Sequence, residues 1–275
     1  MQRTLRNGYL SRALRAGGSD PRGAFERLRG GIEKRRDRRA WERLGVAPDE
    51  LYGVEPDWER EMHAMLGIEW PCLAAAEFGE AWSEAQRELR AGSAPQAQSE
   101  WLERAFDAVP SLASATWCVT RHLAPKRIVE TGVARGITSR FLLAALERNE
   151  DGHLWSIDLP HPDTLLNDQI GAAVPDRLRD RWTLSLGSST ALLPQLLEEL
   201  GEIDLFVHDS LHTTRNVDFE LRAAWEALRP GGAILVDDIH WNLGFHAFRE
   251  RTGGVPSLAA PRSSDGGLWG LAIKP

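Results

Sequence analysis

The sequence predicts an α/β fold, a doubly wound and mostly parallel sheet preceded by an N-terminal helical extension. Three observations predict it. From Arg127 onward, short apolar strand patterns alternate with helical ones, which places a parallel sheet between two layers of helices. The predicted strands end in polar residues: Glu130, Asp158, Asp209 and the pair Asp237-Asp238. The stretch Arg127–Arg140 joins a strand, a glycine turn and a helix start in one short run.

The chain has 275 residues, enough for one large domain with an extension, and divides into three parts. Residues 1–45 are rich in arginine, with Arg35, Arg36, Arg38 and Arg39 in one cluster. Phe25, Leu28 and Ile32 fit one face of an amphipathic helix, yet the segment reads first as a basic, partly ordered leader. An arm for an acidic surface is the sharper alternative. Gly17 to Pro21 is a break.

Residues 46–125 read as a helical cap. Pro48-Asp49-Glu50 is a helix start. Trp58, Met62 and Leu66 keep helical spacing, as do Phe78, Trp82 and Ala85. Ala91–Pro95 is a linker, Trp101, Phe106 and Val109 open another helical stretch, and Ser111–Leu123 is a further one. The tryptophans of this part suit helix packing better than a substrate pocket.

Residues 126–275 carry the sheet. Strands are expected at Arg127–Thr131, His153–Asp158, Trp182–Leu186, Ile203–His208 and Ala233–Val236, with the last ones inside Ser257–Lys274. A helix over Val217–Leu228 stops at Pro230-Gly231-Gly232.

Open parallel sheets bind ligands at the carboxyl ends of their strands. Gly132 and Gly136 let the backbone bend and let a ligand approach it with no Cβ in the way. The spacing is not the Gly-x-Gly-x-x-Gly of a dinucleotide fold. Glu130, just ahead of the turn, would repel a pyrophosphate and suits a cation. Asp158 can accept hydrogen bonds from two vicinal hydroxyls, as of a ribose, or simply open the turn before Pro160. Asp209 ends one strand, and Asp237 and Asp238 end its predicted neighbour, ~4.8 Å away. Like charges so close raise one another's pKa, and a hard divalent cation removes that cost. Capping of the next turn is the plainer role for the acid pair. His212, three residues past Asp209, is placed to act as a general base toward a hydroxyl. His208 reads as a packed histidine, and His240 and His246 are left open.

Glu130-x-Gly132-x-x-x-Gly136 resembles the first motif of the class I S-adenosylmethionine-dependent methyltransferases. Across Arg127 to about Asn242 the chain is similar, more narrowly, to the metal-dependent O-methyltransferases of the macrocin and mycinamicin sugar type. Asp209, His212, Asp237 and Asp238 match that group in residue type and spacing. Catechol-type enzymes share the metal site but carry Asp-Asn where this chain has Asp-Asp. The resemblance implies a Rossmann-like seven-stranded sheet with S-adenosyl-L-methionine held by Glu130, Gly132, Gly136, Asp158, Ser188 and Asp209. Ser188 would border the adenine or cap the following helix. It further implies Mg2+ or another divalent cation on Asp209, Asp237 and Asp238, with His212 and Asp209 as catalytic residues.

The activity so implied is methyl transfer to a hydroxyl of a small molecule, a sugar or another natural product. The alternatives are a metal-independent methyltransferase acting on O or N, a nicotinamide oxidoreductase, and a scaffold that binds the cofactor without turnover.

Composition narrows the partners. A net charge of -7 argues against a general nucleic-acid binder. There is no apolar run of membrane-spanning length and no secretory h-region after the early arginines. Cys72 and Cys118 lack paired spacing, which suits a reducing cytoplasm and predicts neither a disulfide framework nor a cysteine-based zinc site. Aromatics within residues 41–101 leave a homo-oligomer open.

Overall fold

The computed structural model describes residues 21–91, 110–161, 164–262 and 267–275. Seven strands form one sheet in the order β3-β2-β1-β4-β5-β7-β6. These are β1 (Arg127–Thr131), β2 (His153–Asp158), β3 (Trp182–Leu186), β4 (Ile203–His208), β5 (Leu228–Val236), β6 (Ser257–Pro261) and β7 (Leu268–Ile273). The first five pair in parallel, while β7 runs antiparallel between β5 and β6. The α/β expectation therefore stands, and the first four strands keep their expected bounds.

Alternation of side chains explains why both faces are covered. On β1, Ile128 packs into one apolar cluster and Val129 into the other. On β4, Leu205 and Val207 face the first cluster and Phe206 the second. Successive strand residues point to opposite faces, so a strand apolar at every position needs helices on both sides. One layer comprises α4 (Leu73–Ala91), α5 (Pro110–Leu123) and α6 (Ile137–Asn149). Trp117 and Phe141, both buried, centre it. The other comprises α7 (Ser189–Leu200), α8 (Thr214–Ala227) and α9 (Gly244–Thr252).

Three departures from the sequence reading matter. First, Pro230-Gly231-Gly232 does not end a helix ahead of a strand but bulges within β5. Ile203 pairs with Leu228 and Leu205 with Ala233, so the two strands fall out of step there. Second, the basic leader contains a 24-residue helix, α1 (Pro21–Leu44), docked on the domain. Short helices α2 (Pro48–Tyr52) and α3 (Trp58–Met65) follow. Phe25, Leu28 and Ile32 do share one face of α1, and that face is exposed. Third, Cys72 lies 3.1 Å from a ring nitrogen of His63 and 3.1 Å from one of His122, a convergence that the cysteine spacing does not predict.

The expectations for residues 1–20, for the linker beyond Ala91 and for a helix over Trp101, Phe106 and Val109 lie outside the described residues. Among the described residues, no helix is long and apolar enough to cross a membrane.

Candidate active site

The glycine turn after β1 is fixed by a close backbone approach. Gly132 has φ +85°, and a Cβ there would stand 2.1 Å from the Asp209 carbonyl oxygen. No other residue fits where this turn meets the end of β4. The Gly132 amide donates to Ile157 O at 2.8 Å, and the Asp209 amide donates to Thr131 O at 2.7 Å. Three strand ends are thereby joined. Gly136, also left-handed, serves a different contact: its Cβ would meet Gly171 Cα at 2.9 Å.

A cavity of about 270 Å³ opens at this edge. Of the sequence-predicted residues, Gly132, Asp158, Ser188 and Asp209 line it. Glu130, Gly136, His212, Asp237 and Asp238 do not; Glu130 is wholly buried behind the turn. Its Oε2 accepts from Ser139 Oγ and Ser156 Oγ, each at 2.7 Å, while Oε1 has no partner. Burial pushes its carboxyl up to about 7 against the pull of those two hydroxyls. Asp158 Oδ2 accepts the amides of Ala134 at 2.7 Å and Val133 at 3.2 Å, and Oδ1 accepts that of Leu159 at 2.8 Å. This carboxylate holds the glycine turn in place and is itself raised by burial. Ser188 precedes α7, yet its side chain makes no capping bond and instead contacts Thr190 Oγ1 at 2.6 Å.

The acids of β4 and β5 gather beside the cavity. Asp209 and Asp237, at the ends of neighbouring strands, are both buried carboxylates. Burial first, then the neighbouring carboxylates, raises both. His212 Nε2 stands 3.6 Å from Asp209 Oδ1 and 3.6 Å from Asp238 Oδ2, between two carboxylates. Burial and then His208 lower His212 to about 3, so its ring is neutral near pH 7. His212 Nδ1 and Asp237 Oδ1 are buried without hydrogen-bond partners. Asp238 has φ +51°, an uncommon backbone for a non-glycine residue.

Two contributions to this edge had no sequence signal. Arg262, from the far end of the sheet, reaches Asp238 Oδ1 at 2.6 Å and Asp237 Oδ2 at 3.5 Å. It supplies one positive charge to the acid cluster. Helix α1 closes the cavity from above: Glu26 and Arg27 line it, and Arg27 Nη1 donates to Pro160 O at 2.9 Å. Further along α1, Glu33 accepts from Thr213 Oγ1 at 2.9 Å and Asp37 from the Thr214 amide at 3.0 Å. Gly30 lies against Leu211, leaving little room for a Cβ.

Behind the cluster, the wholly buried Glu220 accepts from Thr131 Oγ1 at 2.5 Å and Ser210 Oγ at 2.8 Å, and pairs with His208 Nδ1 at 2.6 Å. Burial opposes its charge, but His208 and the donors prevail and hold Glu220 down at about 2. His208 is thus a packed histidine held against Glu220.

Residues 129–239 match the family model described as a methyltransferase domain. Over those residues the chain is similar to a methyltransferase domain. Its seven-stranded, mostly parallel sheet agrees with the fold implied by the resemblance drawn from Glu130 to Gly136. Curated proteins give no match to the sequence. Among solved structures, the chain is similar to an O-methyltransferase from Bacillus cereus in complex with SAH. Identity is 15% and the TM-score 0.50, over 71% of this chain and 99% of that one. An O-methyltransferase from Streptomyces achromogenes involved in tomaymycin synthesis, in complex with SAM, aligns at 18% identity and a TM-score of 0.48, over 74% and 91%. The SAH-bound methyltransferase of Podospora anserina aligns at 18% and 0.48, over 71% and 96%. At these identities the likeness is one of fold.

Proposed function

We propose that this methyltransferase domain uses S-adenosylmethionine to methylate a hydroxyl of a small molecule, such as a sugar or another natural product. S-adenosylmethionine supplies a methyl group already activated on a sulfonium. The protein must then hold an acceptor oxygen in line with that methyl and receive its proton. The observation that carries this reading is the position of His212, a neutral imidazole 3.6 Å from Asp238 and 3.6 Å from Asp209, the latter a residue of the cavity wall. His212 would take the hydroxyl proton, and Asp238 beside it would stabilise the imidazolium. Asp158 and Ser188 would meet the ribose and adenine. Glu130, behind the turn, would balance the amino group through the field it sets up and hold the loop through Ser139 and Ser156.

The acid cluster fits a hard divalent cation. Asp237 Oδ1 is buried with no partner, and Asp209 and Asp237 are both raised, first by burial and then by neighbouring carboxylates. Asp209, Asp237 and Asp238 would hold the ion, with Arg262 leaving their charge only partly compensated. Magnesium or a similar ion there would lower the pKa of a hydroxyl brought to it.

The test is methyl transfer to a panel of sugar and polyketide hydroxyl acceptors, with and without chelator. Asp209→Ala and His212→Ala should each abolish turnover while the folded protein still unfolds cooperatively. His212→Ala should still bind cofactor. Full activity of Asp209→Ala in chelator would overturn the metal role, and full activity of His212→Ala the base role.

A further inference from the structure

A second cluster of donor side chains lies at the opposite edge of the sheet. His122 sits near the carboxyl end of α5, just before β1 begins. The cavity opens past the other end of that five-residue strand, ~16 Å away at the usual rise per residue. His63 comes from α3, and Cys72 from the residue that opens α4. His63 Nε2 and His122 Nε2 each stand 3.1 Å from Cys72 Sγ. One ligand atom from each of the three residues lies within 4.8 Å of the other two.

The surroundings prepare these atoms for a metal. His63 is wholly buried, and its Nδ1 is 2.6 Å from the Glu59 carbonyl oxygen. That contact places the ring proton on Nδ1 and leaves the Nε2 lone pair facing Cys72, the usual outer bond of a metal-binding imidazole. Cys72 Sγ accepts the Ala75 amide at 3.3 Å at the start of α4. An amide donor and a helix amino terminus both favour thiolate. Cys118, the second cysteine of the chain, is buried close enough to Cys72 for that group to raise the Cys118 thiol further after burial has raised it. Two imidazole nitrogens thus converge on one sulfur, from helices that are separate in sequence.

We propose that His63, Cys72 and His122 bind a zinc ion that pins the helical cap to the amino-terminal edge of the methyltransferase sheet. Mixed nitrogen and sulfur ligands select a borderline-soft ion over magnesium or calcium. Tetrahedral zinc with normal bond lengths would set nitrogen and sulfur roughly 3.5 Å apart, so the cluster need open by only about 0.4 Å. The fourth position falls to water or to Cys118. The ion ties α3, the α3–α4 connection and α5 together far from the cavity, so its role is structural.

The experiment compares the full-length protein with Cys72→Ser and His122→Ala, since His63 is too buried to replace safely. Serine can still accept the Ala75 amide at the start of α4, which keeps the helix capped. Protein from zinc-supplemented culture should carry about one zinc per chain after desalting, against less than about a tenth in either variant. Cobalt in place of zinc should give tetrahedral d–d bands and a sulfur-to-cobalt charge-transfer band, the latter lost in Cys72→Ser. An ion on Asp209 and Asp237 would give no sulfur band, which keeps this site distinct from the acid cluster. Chelator should lower the melting temperature of the parent protein and leave Cys72→Ser unmoved. Folded parent protein that shows no sulfur-to-cobalt band, or a Cys72→Ser variant that retains as much zinc as the parent, overturns the proposal.

Discussion

Glu130→Gln should make the protein more stable than its parent at pH 8 and leave it nearly unchanged at pH 5. Glu130 is wholly buried, and burial raises its carboxyl from 4.5 to about 7. An acid whose folded value lies above its unfolded one contributes stability that is complete below the unfolded value. That contribution is lost as pH rises through the folded value. The window here is pH 4.5 to about 7. At about 1.4 kcal/mol for each pH unit between the two values, the loss is ~3 kcal/mol. Glutamine can still accept from Ser139 and Ser156 and never ionises. Urea denaturation of both proteins from pH 5 to pH 8 measures the difference, and in that difference the titrations of all other groups cancel. The gap should grow with pH, levelling above pH 7 near 3 kcal/mol. A gap that is flat across the range, or that closes as pH rises, refutes the assignment. If Glu130 balances the ammonium group as proposed, the same variant should bind S-adenosylmethionine more weakly at pH 8.

Other substitutions probe the frame around the site. Gly132→Ala forces a Cβ to within 2.1 Å of the Asp209 carbonyl and into a left-handed backbone. It should cost at least ~1–2 kcal/mol by calorimetry and abolish cofactor binding by titration. Asp37→Asn weakens the charge-assisted bond from the Thr214 amide that anchors α1. It should lose ~1 kcal/mol and speed hydrogen exchange across residues 26–40. Arg262→Ala leaves Asp237 and Asp238 without their guanidinium. It should lose roughly 1–3 kcal/mol in chelator and recover most of that with millimolar magnesium. Recovery by magnesium in the parent alone would contradict that reading.

The sheet was legible because its signal is local. Apolar runs such as Ile203–His208, which is buried on both faces, end on a polar residue, so strand position and site edge are written in the same few residues. Pro230-Gly231-Gly232 was misread because a proline-glycine turn and a bulge use the same residues. What separates them is pairing with Ile203 and Leu205, far off in sequence. Arg262 and the residues of α1 gave no warning for a related reason. Nothing beside Arg262 marks it, and the polar residues Glu26, Glu33 and Asp37 follow no motif until Thr190, Thr213 and Thr214 are brought to them. The Cys72 cluster was hidden likewise, since nine residues separate it from His63 and fifty from His122.

Three buried carboxylates at the carboxyl ends of the strands, Glu130, Asp209 and Asp237, have raised pKa values, chiefly through burial. Glu130 and Asp237 have buried oxygens without donors, and Asp209 is raised by its neighbours. Glu220, equally buried and only one strand end away, shows that this fold can satisfy a carboxylate fully: it has hydroxyl donors and a histidine, and its pKa falls. At Glu130, Asp209 and Asp237 the compensation is incomplete: Glu130 has two hydroxyl donors and no cation, and the single Arg262 is shared by the acids of β4 and β5. Strain on a folded chain concentrates where a ligand relieves it. Two cations, a sulfonium donor with its ammonium group and a divalent ion, would relieve this edge with the sign it needs. A negatively charged dinucleotide at the same turn would worsen it. The charge pattern thus argues for a cationic methyl donor independently of the glycine spacing.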